Sequence, residues 1–202
     1  MFNTGLKVKT LSIIDAVRYN EINYKPGKMV FPERLAQSKS KAWVGLESIL
    51  SDIIDFSGIG TDAALEFGVE FGYSTSALAN YFKKVTGVDI FTGDPHAGHH
   101  GDIFDLTKDN LKEFKNIELI KSDYKNYIAS SNQFFDLIHV DIIHTYDDTY
   151  TCGLWAAQHS KCTIFHDTQS FPEVKRAVAN VAKKTNKKFY NYRKSNGLGI
   201  VI

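Results

Sequence analysis

Short apolar segments alternate with segments of helical periodicity from residue 63 to residue 185, and this alternation constrains the fold more than any other feature of the sequence. The predicted strands are 63–68, 85–90, 116–123, 135–141 and 161–167. Strands separated by helices in this way predict a parallel sheet with helices on both faces. The β-rich runs on either side of Ser195-Asn196-Gly197 predict an antiparallel hairpin within 188–202. We therefore expect an α/β fold of three layers, doubly wound around a mostly parallel, seven-stranded sheet.

The length of 202 residues suits one domain with a sizeable core. We predict a single domain over 1–202, in which 1–60 form a helical and irregular segment that packs on the functional site or caps it. Apolar residues at helical spacing predict a helix from Ser38 to Phe56 within that segment. The segment carries no recognisable motif.

Charge and composition exclude several classes of function. The 24 Lys and Arg residues nearly balance the 23 Asp and Glu residues, so we expect neither a nucleic-acid partner nor a membrane partner. A lysine-rich stretch at 183–188 is expected to solvate a helix end. Cys152 and Cys162 are expected to be buried free thiols. The start of the chain lacks the apolar core of a signal peptide, and no apolar run is long enough for a membrane span, which predicts a cytoplasmic protein.

The five predicted strands all end in or near a carboxylate. These residues are, in chain order, Glu66, Asp89, Asp123, Asp141 and Asp167. A single aspartate at such a position is more often a helix cap or a turn residue. Five in succession favour a shared crevice, because ligands of open α/β sheets bind beyond the carboxyl ends of the strands, where the strand order switches.

The turn after the first of these strands has the pattern E-x-G-x-x-x-G-x-S, formed by Glu66, Gly68, Gly72 and Ser74. A dinucleotide-binding turn requires G-x-G-x-x-G, with a pyrophosphate at the N-terminus of the following helix. The spacing here differs, and the carboxylate of Glu70 inside the turn would repel a pyrophosphate. The turn therefore argues against an NAD-dependent oxidoreductase.

The same pattern resembles the first motif of class I methyltransferases that use S-adenosylmethionine. The segments FDLIHVDIIHTYDDTYTCGLW, KCTIFHDT and GDPHAG resemble the branch of that class that includes small bacterial sugar and natural-product O-methyltransferases. The resemblance covers roughly residues 60–202. It implies a Rossmann-like fold, an enzyme, S-adenosylmethionine as the cofactor, and methyl transfer to a hydroxyl oxygen.

The resemblance also implies which residues bind the cofactor. The two glycines of the turn would let the backbone approach the ligand closely, and Glu66 would face the ammonium group, directly or through water. Asp89 would accept hydrogen bonds from both ribose hydroxyls. Asp123 and Tyr124 fall where this class contacts the adenine, although Asp123 fits a helix cap equally well. The predicted cofactor-binding residues are Glu66, Gly68, Gly72, Ser74, Asp89, His96, Asp123 and Tyr124.

His96 belongs to a polar, glycine-rich loop at 91–102, which also carries His99 and His100. Three histidines near two aspartates invite a metal interpretation, but a flexible polar loop that folds over the cofactor or acceptor is favoured. His96 is the one of the three that we expect to touch a ligand.

An acceptor hydroxyl becomes a good nucleophile when a base takes its proton or a divalent metal acidifies it. His144, three residues after Asp141, is the predicted base, with Asp141 orienting it; the alternative is a helix-start residue bonded to backbone. His166 is a second candidate base. Asp141 and Asp167 offer hard oxygen ligands and form a candidate Mg²⁺ site. Metal-dependent relatives often carry an acidic or amide ligand beside the second aspartate, whereas His166 and Thr168 stand there in this chain.

The expected partner is a small polar acceptor, for which a sugar is one candidate, and a homodimer is a candidate assembly. The alternative is a catalytically silent nucleotide-binding or scaffold protein that kept the fold. The sequence does not specify the acceptor, because this fold serves acceptors from small phenols to glycans.

Overall fold

A computed structural model describes residues 18–39, 42–97 and 99–202 of the chain. The strands in this part are β1 (Glu21–Asn23), β2 (Ala63–Phe67), β3 (Lys84–Asp89), β4 (Ile117–Lys121), β5 (Phe135–Val140), β6 (Ser160–His166), β7 (Phe189–Tyr192) and β8 (Leu198–Val201). The α-helices are α1 (Leu50–Ser57), α2 (Tyr73–Ala79), α3 (Phe104–Asn110), α4 (Tyr124–Ser130), α5 (Tyr146–Gln158) and α6 (Pro172–Thr185).

The strands form one sheet in the order β1-β7-β8-β6-β5-β2-β3-β4. Strand β8 runs antiparallel to both of its neighbours, and every other pair is parallel. These findings confirm the predicted α/β fold with a mostly parallel sheet and a C-terminal hairpin. The sheet has eight strands rather than seven, because Glu21–Asn23 in the N-terminal segment pairs with Phe189–Tyr192 at the sheet edge.

Both faces of the sheet are covered, which completes three layers. On one face, helices α1 and α2 bury Leu50, Ile53 and Leu78. On the other face, helices α5 and α6 bury Ala156 and Val178. Strand β5 is buried along its whole length, which explains its nearly continuous run of apolar residues.

The helix predicted from Ser38 to Phe56 is shorter than expected. A 3₁₀ turn spans Glu47–Ile49, and the α-helix follows only from Leu50. Gly45 has a φ of +102°, in a region that a right-handed helix does not use. The chain therefore turns before the helix begins, and this turn directs residues 42–46 toward the carboxyl end of the sheet.

The N-terminal segment can be followed from residue 18, since residues 1–17 lie outside the described part of the chain. Trp43 and Leu46 from this segment join the core under α1. None of the helices in the described ranges combines the length and the apolar character required to cross a bilayer.

The strand order reverses direction at the centre of the sheet. Strand β2 has β3 on one side and β5 on the other, so the connections that follow β2 and β5 diverge. This divergence opens a crevice at the carboxyl ends of these strands.

Candidate active site

A cavity of about 510 Å³ occupies the crevice at the carboxyl ends of the central strands. It is lined by residues that follow β2, β3, β4, β5 and β6, and by Lys39, Ala42 and Trp43 from the N-terminal segment. Ten of the predicted site residues line it: Gly68, Ser74, Asp89, His96, Asp123, Tyr124, Asp141, His144, His166 and Asp167. Two predicted residues, Glu66 and Gly72, do not belong to the lining.

Gly68 is required by a close contact between two backbones. Its φ is +87°, and a Cβ built on it would lie 1.6 Å from the carbonyl oxygen of Asp141. The end of β2 and the end of β5 therefore touch at a point where only glycine fits. Gly72, the N-cap of α2, also has a positive φ, and a Cβ there would meet the side chain of Leu111 at 2.6 Å. Gly72 thus serves the packing of the turn rather than the cavity wall.

Glu66 lies below the cavity instead of facing it. Its side chain is fully buried, and Oε1 lies 2.7 Å from Nδ1 of His139 while Oε2 accepts a hydrogen bond from Thr75. Both carboxylate oxygens are therefore engaged inside the protein. This placement argues against the direct contact expected between Glu66 and the ammonium group of a ligand. The carboxylate instead pairs with His139, a buried residue 73 positions away in sequence.

Asp89 lines the cavity and also organises the glycine turn. Its Oδ2 accepts hydrogen bonds from the backbone N–H groups of Val69 at 2.7 Å and Glu70 at 2.9 Å, and its Oδ1 accepts from Phe91 at 2.6 Å. Glu70 and Phe91 both have positive φ values, 49° and 56°. The carboxylate therefore stabilises two strained backbone positions, and its place beside the turn is fixed by the chain itself.

Asp123 and Tyr124 lie at another part of the cavity wall, at the start of α4. Asp123 is the N-cap of that helix and accepts a hydrogen bond from the N–H of Lys125 at 2.7 Å, so the helix-cap alternative describes its contacts. The Tyr124 hydroxyl donates to Oδ1 of Asp148 at 2.7 Å. Burial alone would raise the pKa of Asp148, but hydrogen bonds from Lys125, Thr145 and Tyr124 outweigh it and lower that pKa to about 2.

Asp141, His144, His166 and Asp167 form one group, which we name the Asp–His cluster. Nε2 of His144 lies 3.0 Å from Oδ2 of Asp167 and 3.6 Å from Oδ1 of Asp141. Nδ1 of His166 lies 3.0 Å from Oδ2 of Asp167 and 3.2 Å from Oδ2 of Asp141. Asp167 has a φ of +62°, which is strained for a residue with a Cβ. The structure thus brings all four predicted catalytic and metal-binding residues together.

The charges within the Asp–His cluster compensate one another. Burial alone would lower the pKa of each histidine, but the two aspartates raise the pKa of His144 to about 9 and that of His166 to about 10. Burial alone would raise the pKa of each aspartate, yet the imidazoles bring the pKa values of Asp141 and Asp167 below their ordinary range. The cluster therefore favours the charged forms of both its carboxylates and its imidazoles.

The two histidines of the cluster differ in their contacts and in their exposure. Nε2 of His166 lies 3.2 Å from the carbonyl oxygen of Ala42, so both ring nitrogens of His166 face acceptor groups of the protein. Only 1% of the His166 side chain is exposed, against 14% for His144. His144 is therefore the histidine of the cluster that is better placed to exchange a proton with a ligand.

The candidate Mg²⁺ site offers both carboxylate oxygen and imidazole nitrogen as donor atoms. One ligand atom each from Asp141, His144 and Asp167 lie within 4.8 Å of one another, so the spacing suits a cation. Mg²⁺ prefers near-octahedral oxygen coordination, whereas this group mixes imidazole nitrogen with carboxylate oxygen. His166 also contacts both carboxylates, and the two imidazoles already supply the compensating positive charge. The residues do not fit the Mg²⁺ that the family resemblance implies.

The loop after β3 approaches the cluster through His96. The N–H of Ile103 donates to the carbonyl of Phe91 at 2.9 Å and closes the base of this loop. Nδ1 of His96 accepts a hydrogen bond from the N–H of His144 at 3.2 Å. The His144 ring stacks on Phe171, with centroids 4.1 Å apart. The His96 ring lies beside this stack, 5.2 Å from the His144 ring and 5.3 Å from the Phe171 ring, while His99 lines the cavity further along the loop.

The lining residues that the sequence did not predict include Lys39, Trp43 and Asp148. Asp148 had a usable signal, because Thr145 is a typical N-cap residue three positions before it. The Thr145 hydroxyl accepts from the N–H of Asp148 at 3.1 Å and donates to its carboxylate at 2.7 Å. Trp43 and Lys39 had none, because they come from a segment without a motif that meets the sheet only in the folded chain.

The fold and the cavity together define a class of protein. A mostly parallel sheet with an antiparallel strand inserted beside β6, a glycine turn after β2 and a carboxylate at the end of β3 are the features of class I methyltransferases. Residues 65–168, about half of the chain, match a family model described as a methyltransferase domain. The chain belongs to this family of class I S-adenosylmethionine-dependent methyltransferases. No curated protein sequence matches it significantly.

Solved structures of methyltransferases share this fold. An O-methyltransferase from Bacillus cereus in complex with SAH is 14% identical, with a TM-score of 0.52 over 100% of this chain and 93% of that one. Aeropyrum pernix fibrillarin with natively bound S-adenosylmethionine is 13% identical, with a TM-score of 0.56 over 88% and 85%. An amino pentose methyltransferase from Micromonospora echinaspora, bound to S-adenosylmethionine, is 11% identical, with a TM-score of 0.60 over 81% and 92%. Identities at this level establish the fold.

Proposed function

We propose that the protein transfers a methyl group from S-adenosylmethionine to a hydroxyl oxygen of a small polar acceptor. The observation that carries this proposal is the position of His144, which borders the cavity while its Nε2 lies beside the carboxylates of Asp141 and Asp167. A histidine held in this way can accept a proton and is stabilised once it has done so. The glycine turn after β2, which touches the backbone of Asp141, is where the family binds its cofactor.

The cofactor is proposed to lie across the cavity from β4 to β5. The cavity volume of about 510 Å³ falls within the range of small-molecule sites, about 300–1,000 Å³. The ribose would lie at Asp89 and the adenine near Asp123 and Tyr124. The methionine end would then lie toward Gly68 and Asp141, next to the Asp–His cluster.

The proposed reaction is an in-line displacement at the methyl carbon. The acceptor oxygen forms a bond to this carbon while the bond from carbon to sulfur breaks, and the electron pair returns to sulfur, which leaves neutral S-adenosylhomocysteine. The hydroxyl proton passes to the imidazole of His144 in its neutral form, and Asp167, whose Oδ2 lies 3.0 Å from Nε2, stabilises the resulting imidazolium. Alignment of the two reactants by the cavity supplies up to about 7–11 kcal/mol of the barrier reduction.

A polar acceptor such as a sugar is supported by the remaining lining. Lys39, Glu70 and Asp94 contribute charged groups to the cavity wall, and hydroxyl groups of a sugar would satisfy such groups better than an apolar ring would. We propose a hydroxylated small molecule as the acceptor class on this basis.

The test has a binding step and a transfer step. Calorimetry with S-adenosylmethionine, S-adenosylhomocysteine and NAD is expected to show binding of both sulfur ligands and none of NAD. Methyl-labelled S-adenosylmethionine is then supplied with sugars, nucleosides, phenols and amines, and label is expected in an ether of a hydroxylated compound. Binding of NAD and of neither sulfur ligand would overturn the cofactor assignment. Transfer to amines alone would overturn the assignment of oxygen, and cofactor binding without any transfer would favour the silent scaffold.

A further inference from the structure

The indole ring of Trp43 forms part of the cavity wall near the Asp–His cluster. Only 5% of its surface is exposed, yet it belongs to the cavity lining. Its ring centroid lies 6.4 Å from that of His166. Trp43 is therefore at the end of the cavity where the methyl group has to be transferred, and away from the wall formed by Asp123 and Tyr124.

A chain of buried hydrogen bonds holds the indole in this position. The Trp43 N–H donates to Nε2 of His139 at 3.3 Å, and Nδ1 of His139 lies 2.7 Å from Oε1 of Glu66. Thr75 donates to the other oxygen of Glu66. Because Nε2 of His139 accepts a hydrogen bond, the proton of this neutral ring is on Nδ1 and points to Glu66. The four residues belong to the N-terminal segment, β2, α2 and β5, so the chain joins that segment to the centre of the sheet.

The buried chain makes little sense as simple core packing. His139 and Glu66 are both fully buried at the centre of the sheet, where apolar side chains of similar volume would avoid the cost of removing polar groups from water. The arrangement does give one definite result, which is a single orientation of the Trp43 ring. The ring edge that carries the N–H points toward His139 in the core, while Trp43 also borders the cavity.

We infer that Trp43 recognises the positively charged sulfonium of S-adenosylmethionine through its aromatic face, and that His139 and Glu66 position it for this purpose. The inference rests on the proposed function. Indole has the strongest affinity of the aromatic side chains for a cation placed over its face. The product S-adenosylhomocysteine is a neutral thioether, so the same face would favour the substrate form of the cofactor over the product. Glu66, the acidic residue of the glycine-turn motif, then acts on the cofactor through His139 and Trp43 rather than by contact.

The measurement is the ratio of the dissociation constant for S-adenosylhomocysteine to that for S-adenosylmethionine, from calorimetry on the full chain. Trp43→Leu is expected to lower this ratio about five-fold, on the scale of a partly desolvated cation–π contact. His139→Asn can keep a donor for Glu66, but its shorter side chain has no acceptor atom at the position of Nε2 for the indole N–H. This variant is expected to lower the ratio by a similar factor. In a Trp43→Phe background, which lacks the indole N–H, His139→Asn should change the ratio no further.

Trp155→Leu is the matched control. Trp155 stacks on His159, with ring centroids 4.2 Å apart, packs edge-on against Phe67 and does not line the cavity. This variant is expected to lower the melting temperature without changing the ratio. If His139→Asn does not fold, His139→Gln takes its place in the positioning test, and Trp43→Phe measures the combined loss of the indole ring and of its hydrogen bond to His139.

Each outcome decides one part of the inference. A ratio that is unchanged in Trp43→Leu overturns the contact between Trp43 and the sulfonium. A ratio that falls in Trp43→Leu but not in His139→Asn or Trp43→Phe overturns the positioning role of His139. Failure of the unsubstituted protein to bind either sulfur ligand is a different result, which overturns the proposed function itself.

Discussion

At the scale of single residues, His144 is the group on which turnover should depend most. His144→Gln removes the imidazole that borders the cavity beside Asp167. We expect turnover to fall by about 10²–10⁴, the usual contribution of a positioned general base, with the dissociation constant of S-adenosylmethionine changed less than about two-fold. His159→Gln, which alters a histidine away from the cavity, is the control. Full activity of the His144→Gln enzyme would contradict the assignment of His144 as the general base.

The raised pKa of His144 also predicts a pH profile. The two aspartates raise this pKa to about 9 against the opposing effect of burial, and only the neutral imidazole can accept a proton. Turnover with saturating acceptor should therefore increase with pH, with an inflection at about pH 9. Residual turnover of His144→Gln should lack this inflection. The inflection is measured with the acceptor saturating, at constant ionic strength.

Asp89 has two tasks, so its substitution should have two effects. Asp89→Ala removes an acceptor for three backbone N–H groups of the turn as well as the proposed ribose contact. With about 1.5–3 kcal/mol for a hydrogen bond to a charged group, we expect cofactor affinity to fall at least ten-fold and the melting temperature to fall as well. Asp105→Ala, at an exposed position of α3, controls for the change in charge. Unchanged cofactor affinity in Asp89→Ala would show that Asp89 does not bind the ribose.

The residue scale also shows where sequence patterns are sufficient and where they are not. Asp89, Asp141 and Asp167 could be placed at the crevice because each follows an apolar run that had to be a strand. The orientation of Glu66 could not be predicted, because it depends on His139 in another strand. A motif specifies which residue is present, while its hydrogen-bond partner depends on tertiary packing.

At the scale of secondary structure elements, the C-terminal hairpin supports the end of β6, where Asp167 lies. The Thr168 hydroxyl donates to Oδ1 of Asn191 at 2.7 Å, and the N–H of Gln169 donates to the carbonyl of Asn196 at 2.8 Å. These contacts hold the residues that follow Asp167 against the β7–β8 turn. The strained φ of Asp167 is thus maintained by an element distant from the ligand.

Gly197 in that turn allows a direct test of this support. Gly197→Ala would place a Cβ 2.6 Å from the backbone nitrogen of Gln169, so the loop after β6 must move. We expect turnover to fall about ten-fold, while affinity for S-adenosylmethionine stays within about two-fold. Gly58→Ala is the matched control, because Gly58 also has a positive φ but its added Cβ would meet nothing within 4 Å. Equal turnover in the two variants would contradict a supporting role for the hairpin.

The elements themselves were largely predictable. Strands β2 to β6 begin and end within two residues of the predicted bounds. Four of them lie inside the sheet, where a strand covered on both faces is rich in apolar residues. The helix predicted from Ser38 failed at its start, since a helical spacing of apolar residues does not reveal that Gly45 adopts a positive φ. Strand β1 was missed because three residues with one buried position give no pattern.

At the scale of the whole molecule, Asp148 links stability to pH. It accepts hydrogen bonds from Tyr124 and Thr145 and pairs with Lys125, so it joins α4 to α5. Its folded pKa of about 2 is below the ordinary 3.8. Because the folded value is depressed, this contribution to stability is present above pH 4 and is lost as pH falls toward 2. It amounts to about 2 kcal/mol.

Asp148→Asn should remove that contribution. We expect the free energy of unfolding at pH 7 to fall by about 2 kcal/mol, and its decline between pH 4 and pH 2 to become shallower than in the unsubstituted protein. Urea unfolding at several pH values measures both quantities. Asp109→Asn is the control, because that carboxylate is largely exposed and pairs only with exposed Lys112. Parallel stability curves for Asp148→Asn and the unsubstituted protein would contradict the prediction.

The contact between Gly68 and Asp141 has a consequence for how this protein can acquire new acceptors. The floor of the cavity is a single rigid backbone unit, because the turn after β2 and the end of β5 touch without any intervening side chain. The loop at 91–103 and the segment around Trp43 belong to no central strand. Exchange of the loop at 91–103 with that of other family members should therefore change substrate selectivity while this floor is preserved. Exchange of the segment around Trp43 should also change the preference between the two forms of the cofactor.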